Sequence, residues 1–318
     1  MDNFLLAVRD INHIYIVVEV KKGMRINDNI YRRKQAICIQ CHANPKLINR
    51  VIESFPEDKF DFFIHVDKKS DILPQIKQQK NVFFSKRIDV RWGQFSQVQA
   101  TLSILNMIDT SKYHYIHLIS GNDVPIKSPD YIWEKLKDCT DEYIESNELP
   151  GRSTWAWQGQ DRYRVWYPQW LIQRPAKKMH RILRVAYREF VMRTKFLMRK
   201  KLPVSQFYGG SQWFSITGDL AGWMKNYLAE HEEYLHFFEH GVCSDEIFFA
   251  TLARYSPYAK HIVRDCYRFM IWKGSTSGGP RELSESDIPI MRNDKGFFAR
   301  KVMDIDTAEK MLRELCEK

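Results

Sequence analysis

From Gln35 onward the apolar positions fall into two alternating rhythms. "AICIQCH" (36–42) is a compact apolar run that predicts a strand, and "NPKLINRVIESF" (44–55) predicts the helix after it, with Asn44 as cap and Pro45 at its first position. "FDFFIHVD" (60–67) predicts a second strand and "NVFFSK" (81–86) a short third. "SQVQATLSILNMIDT" (96–110) repeats its apolar residues at three- and four-residue spacing, the mark of a helix. "YHYIHLIS" (113–120) is a fourth strand, running into the loop "GNDVPIKS". Strands and helices in this alternation indicate βαβ units and a mostly parallel sheet, whose ligands bind beyond the carboxyl ends of the strands. His42, Asp67, Asn122 and Asp123 stand at those ends.

The rhythm breaks between about 150 and 210, where "WAWQGQDRYRVWYPQW" is aromatic and basic. On a helix beginning near Ala176, the residues Met179, Ile182, Leu183, Ala186, Tyr187, Phe190 and Val191 fall on one side, and Arg181, Arg184 and Arg188 spread around the other. An interfacial helix drawn to anionic lipid, an RNA-binding patch and a plain basic face all fit that pattern. After Gly210, "QWFSITGDLAGWMKNYL" resumes strand then helix. "GVCSDEIFFATLARY" starts a further helix, with Ser244 as N-cap and Asp245 and Glu246 in its first turn. A Gly/Ser-rich loop, "IWKGSTSGGPRELSESD", precedes "FFARKV" and a terminal helix. Residues 1–33 carry two short β-like runs and no recognisable chemistry.

Composition narrows the class. With 318 residues, 44% apolar and 28% charged, the chain has ample material for an ordered core. Its formal charge is +10, and ten basic residues between Lys177 and Lys201, against the single acid Glu189, hold nearly all of that excess. A basic surface spread over the whole protein, as general nucleic-acid binding needs, is therefore not indicated. Six scattered cysteines do not make a disulfide framework, and the lone CxxC of Cys38 and Cys41 lacks a second pair for zinc. Without a leader pattern or a bilayer-length apolar run, a cytoplasmic setting is the expectation. Neither GxGxxG nor GxxxxGK[ST] is present, so a bound nucleotide must be held in another way.

Glu246 is the sharpest chemical candidate, a carboxylate in a first turn with Ile247, Phe248 and Phe249 behind it. Sugar transfer with inversion needs one such base to take the proton of the attacking hydroxyl, although acids in first turns also serve helix-end charge alone. Arg281, Arg300 and Lys301 could offset the charge of a departing nucleoside diphosphate without a metal, or be incidental loop cations. The DxD of Asp304 and Asp306 suits a hard cation, but Asp306 also reads as the cap of the last helix, which is the preferred reading. The HxD of His65 and Asp67 suits a base or ribose contact or a turn cap. His231, His236 and His240 lack metal-ligand spacing and read as structural.

Taken in order, "CHANPKLINRVI", "FFIHVDKKSD", "VRWGQFSQVQATL", "YIHLISGNDVPIKS", "GSQWFSITGDLAGW", "SDEIFFATL", "RFMIWKG" and "FFARKV" give the chain a resemblance to the core-2/I-branching β-1,6-N-acetylglucosaminyltransferase family, which includes peptide O-xylosyltransferases. The resemblance spans about Gln35 to Lys301. It implies an α/β, GT-A-like nucleotide-sugar fold with a mostly parallel central sheet, as one domain over 34–318 carrying a basic amphipathic insertion near 176–201. It implies an inverting, metal-independent transferase using a UDP-sugar, UDP-GlcNAc or UDP-xylose, as donor substrate and no cofactor. Position by position it places the base at Glu246, with Cys243 and Ser244 where Ser and Pro are common. It places the uridine contact at Asp67, the phosphate cations at Lys301 and Arg281, the acceptor tryptophan at Trp272, and Asp123 near the donor sugar. The animal members are membrane-anchored and disulfide-bonded. This chain instead resembles a bacterial relative making surface polysaccharide at the inner face of the membrane. Its expected partners are a glycan or lipid-linked glycan acceptor and an anionic membrane met through 177–201. A non-catalytic carbohydrate- or RNA-binding protein is the competing expectation.

Overall fold

The computed structural model describes residues 4–9, 15–20, 34–151, 155–172, 178–272 and 279–317. The chain divides into two compact units, Met1–Arg33 and Lys34–Lys318. The first holds an antiparallel pair, β1 (Phe4–Arg9) and β2 (Tyr15–Val20). The second opens with β3 (Lys34–Cys41), α1 (Pro45–Ser54), β4 (Phe60–Val66), β5 (Val82–Phe84), α2 (Ser96–Leu105) and β6 (Tyr113–Ser120). These are the elements that the apolar rhythm predicts. The site loops continue with β7 (Asp123–Pro125), α3 (Pro129–Leu136), β8 (Glu142–Ile144) and β9 (Asn147–Leu149). The aromatic, basic stretch folds as α4 (Asp161–Arg164), α5 (Gln169–Ile172) and α6 (Lys178–Thr194). Then follow β10 (Phe207–Gly209), β11 (Phe214–Thr217), α7 (Gly218–Glu230), α8 (Glu232–Phe238) and α9 (Asp245–Tyr255). The chain closes with β12 (Ile262–Val263), β13 (Arg268–Met270), α10 (Ile288–Asn293), β14 (Phe298–Arg300) and α11 (Ile305–Leu315).

The fold is α/β and consistent with the GT-A-like expectation, but its strands do not form one continuous sheet. In Lys34–Lys318 the described strands form a seven-stranded sheet, β12-β8-β11-β6-β3-β4-β5, a three-stranded sheet, β13-β14-β7, and the pair β9-β10. The large sheet is parallel from β6 through β5 and at β12/β8, and antiparallel where β11 lies between β8 and β6. The strand periodicity explains the layering. Ile37, Ile39, Phe62 and Ile64 join a core with α1 and α11 on one face; Ala36, Cys38, Phe63 and Leu118 join a core with α2, α7 and α9 on the other. Burying both faces is what a parallel central strand requires, and it makes these runs uniformly apolar. Arg268 ties the small sheet to the large one, donating to the carbonyls of Leu118 and Phe214 at 3.1 and 2.7 Å and to Ser215 Oγ at 3.1 Å.

Asn44 and Ser244 stand at the expected N-cap positions of α1 and α9, but neither side chain caps its helix, and the third expected cap is displaced. Asn44 has a left-handed backbone (φ 60°); its side chain donates to Asn122 Oδ1 at 2.5 Å, joining the ends of β3 and β6. Pro45 does occupy the start of α1. Ser244 is helical and buried, and its hydroxyl donates to Phe238 O at 2.8 Å rather than to α9. The cap of α11 is Asp304, which accepts from Thr307 N at 2.8 Å, and Asp306 lies in the first turn. Half of the DxD is thus engaged in ending a loop.

Among the described residues no disulfide joins the six cysteines. Cys38 and Cys41 are buried in β3, and burial raises both thiols, Cys41 to about 12. Neither is poised for redox or metal chemistry. Among the described residues no helix is long and apolar enough to cross a membrane.

Candidate active site

The carboxyl ends of β3, β4 and β6 converge. Asp67 follows β4, donates its N–H to Cys41 O at 2.9 Å, and accepts from Lys69 N at 2.9 Å and Lys69 Nζ at 3.1 Å. Arg87 pins the same loop by donating to the carbonyls of Val66, Asp67 and Lys68 at 3.2, 2.8 and 3.1 Å. The loop carbonyls are therefore satisfied from one side, which holds the Asp67 carboxylate at a fixed place on the rim.

Asp123, 1% exposed, begins β7 and accepts from Ser120 N at 3.1 Å and Ser120 Oγ at 2.5 Å. Opposite it in the ladder stands Arg300 of β14, whose Nε lies 3.8 Å from Asp123 Oδ1. The Arg300 guanidinium stacks on Trp213 at 4.1 Å, while among the described residues its buried Nε and Nη1 make no hydrogen bond. Burial lowers its proton affinity and the Asp123 charge opposes that. Lys301 follows; its carbonyl accepts from Leu283 N at 2.8 Å, and among the described residues its ammonium has no ion-pair partner. Arg281, by contrast, is committed to Asp287 through two bonds, at 2.8 and 2.5 Å. Trp272, 56% exposed, bridges Pro280 beside this sheet. Residues 273–278 of the Gly/Ser-rich loop lie outside the described residues.

Glu246 sits in the first turn of α9. Cys243 enters the turn with a left-handed backbone (φ 52°) and donates its N–H to Gly93 O at 2.9 Å; Gly210 N donates to Glu246 O at 2.9 Å. A side chain at 210 would collide with Glu145, its Cβ falling 2.6 Å from the Glu145 carbonyl oxygen. The half-buried Glu246 carboxylate pairs with Arg162, which stacks on Trp155 at 3.6 Å. Burial raises the proton affinity of Glu246, and Arg162 offsets part of that rise. Asp245, almost fully buried, is raised by burial and then by the charge of Glu246. A carboxylate made more basic by its surroundings, yet kept ionised by one cation, is suited to accept a proton.

A relay of amides joins this turn to the strand ends. Gln97 Nε2 donates to Asp245 Oδ2 at 3.2 Å and to Gln212 Oε1 at 3.1 Å; Gln212 Nε2 donates to Gln40 Oε1 at 3.5 Å; Gln40 Nε2 donates to Thr101 Oγ1 at 2.6 Å. Gln212 precedes the Trp213 on which Arg300 stacks. The relay holds Asp245, the neighbour of Glu246, while Asp123 and Arg300 face each other across β7 and β14 with Lys301 next in sequence. Asp67 stands on the neighbouring strand end. The sequence reading missed Arg162, Gln97, Gln212 and Trp213; only Arg162 lay in a stretch it marked as unusual. Among the described residues no group of three or more His, Cys, Asp or Glu could hold a metal ion.

The model of one protein family, described as the core-2/I-branching enzyme, matches residues 42–293. The match covers Asp67, Asp123, Glu246, Trp272 and Arg281; Arg300 and Lys301 lie beyond its end. No curated protein matches the chain.

Proposed function

The chain belongs to the core-2/I-branching enzyme family, which carries a glycosyltransferase-type activity, and from that premise we propose that it is an inverting, metal-independent transferase of GT-A type using a UDP-sugar. The Glu246 carboxylate takes the proton from an acceptor hydroxyl as that oxygen attacks the anomeric carbon. The bond from that carbon to the UDP oxygen breaks, the configuration inverts, and the electron pair leaves with UDP. Lys301 offsets the charge gained on the diphosphate, with Arg300 and Arg281 nearby, so the residues present supply the positive charge that a cation would otherwise bring. Asp67 contacts the uridine, Asp123 orders the donor-sugar side, and the exposed indole of Trp272 stacks on the acceptor. GlcNAc or xylose is the transferred sugar, and a glycan of surface polysaccharide the acceptor. The domain covers 34–318 and works at the cytoplasmic face of a membrane, which it meets peripherally through 177–201.

The observation that supports this reading most is the Glu246 carboxylate, raised by burial and paired with Arg162 in the first turn of α9. Glu246→Gln keeps the shape and removes the base. Its transfer rate should fall about 10²–10⁴-fold, with UDP-sugar affinity in calorimetry unchanged by the substitution and by EDTA. Undiminished turnover in the variant would remove Glu246 from the mechanism.

A further inference from the structure

Helix α6 buries Val191 and Met192, with Arg184, Tyr187 and Arg188 half-buried beside them. Much of its apolar side faces solvent: Met179, Ile182, Leu183 and Phe190 are 64%, 54%, 43% and 50% exposed. Phe196 and Leu197 beyond its end, and Trp170 on α5 packed against it, are exposed as well. Arg184 and Arg188 therefore turn toward the protein, while Arg181 stays at the surface. An apolar patch of this kind marks a surface that meets something apolar. The exposed cations around it, Arg181, Arg193, Lys195, Lys200 and Lys201, fit the anionic headgroups of a bilayer.

Under the arginine side lies a cavity of about 240 Å³, lined among others by Asp161, Arg162, Tyr167, Arg184, Arg188 and Cys243. Three guanidinium groups face one carboxylate there. Arg162 is engaged by Glu246, and Arg188 is shared between Asp161 at 3.6 Å and Glu189 at 3.0 Å. Arg184 makes no ion pair among the described residues. Among the described residues the buried Asp161 Oδ1 makes no hydrogen bond, and it is able to accept from a hydroxyl. Through Arg162 and Cys243 the cavity adjoins the turn that carries Glu246.

We propose that this cavity holds the phosphate group of a lipid-borne acceptor, delivered from a bilayer in which the apolar stripe of α6 is seated. Planar guanidinium forks match phosphate oxygens, and Arg184, which no described carboxylate pairs with, favours an anion over a neutral glycan. This inference rests on the reading of Glu246 as the base and adds the class of acceptor. The probe is octyl phosphate below its micelle concentration, titrated into the full chain by calorimetry, with octyl glucoside and inorganic phosphate alongside. Octyl phosphate should bind saturably and octyl glucoside should not; Arg184→Gln should weaken octyl phosphate about tenfold, as loss of one charge-assisted bond does, and Arg184→Lys less. Vesicles of phosphatidylcholine with phosphatidylglycerol should retain wild type and Arg184→Gln but release the doubly substituted Ile182→Glu, Phe190→Glu chain. Equal octyl phosphate affinity in wild type and a folded Arg184→Gln overturns the phosphate site. Inorganic phosphate binding as tightly as octyl phosphate, or vesicle binding unaffected by the double substitution, overturns its lipid origin. UDP-sugar binding and Glu246→Gln turnover report separately on the catalytic reading, so either can fail without the other.

Discussion

Replacing Arg162 by Met removes the cation that, among the described residues, faces Glu246 and Asp245, while keeping much of the apolar stem. Two unit charges about 4 Å apart attract by about 4 kcal/mol at an effective dielectric constant near 20. The Arg162 and Glu246 side chains are 15% and 31% exposed, so water screens part of this. The pair then contributes about 1–3 kcal/mol, and the Arg162 stack on Trp155 about 0.5–2 kcal/mol more. Only the first part depends on pH. Both acids bind protons more tightly folded than unfolded, because burial disfavours their charge. Their contribution is therefore fully present below the unfolded carboxylate range, near pH 4, and is lost as pH rises through the raised folded values. Arg162 limits that loss. Urea unfolding should show Arg162→Met less stable by about 2–4 kcal/mol at about pH 8, with the loss shrinking toward the stacking part as pH falls through the raised folded values. The acidic limb of the transfer rate should also move to higher pH, since the base works deprotonated. An equal stability loss at high and low pH, with the acidic limb unmoved, would refute the argument that Arg162 acts through the acid pair.

Lys301→Met should weaken UDP binding in calorimetry about 10–100-fold, the loss of one charge-assisted contact, while the thermal midpoint stays close to wild type; unchanged affinity would leave the diphosphate to other cations. Asp304→Ala should lower the midpoint by a few degrees through loss of the α11 cap, without altering transfer with or without EDTA; a metal-dependent loss of rate would restore the DxD as a ligand. Cys38 and Cys41 should resist a thiol reagent at about pH 8 until the chain unfolds, since the Cys41 thiol titrates at about 12; rapid labelling of the native protein would contradict their burial in β3.

Much of the scaffold is written locally. The runs 36–42, 60–67 and 113–120 are apolar at nearly every position because β3, β4 and β6 are covered on both faces, so they read as strands without knowledge of their neighbours. The first turn of α9 was legible too, since an acid pair before an apolar run is a local signal. Caps were less so. Asn44, Ser244 and Asp306 carry the right side-chain types, but tertiary partners, Asn122 and the Phe238 carbonyl among them, outcompete the helix ends or shift them by two residues.

The α/β alternation, the family and the residue types available for proton transfer and phosphate charge are all legible in the order of residues along the chain. The antiparallel β11 within a largely parallel sheet, and the separation of β13, β14 and β7 into a sheet of their own, depend on pairings between distant segments that no periodicity encodes. The same holds for the contacts of Glu246. Arg162 lies 84 residues from it, and Gln97 lies 148 residues from Asp245. Helix α6 shows the limit most directly. Periodicity separates its two sides, but which residues face water depends on what lies beneath them: Val191 and Met192 are covered by a small core, Arg184 and Arg188 line the cavity, and Ile182 and Phe190 stay exposed.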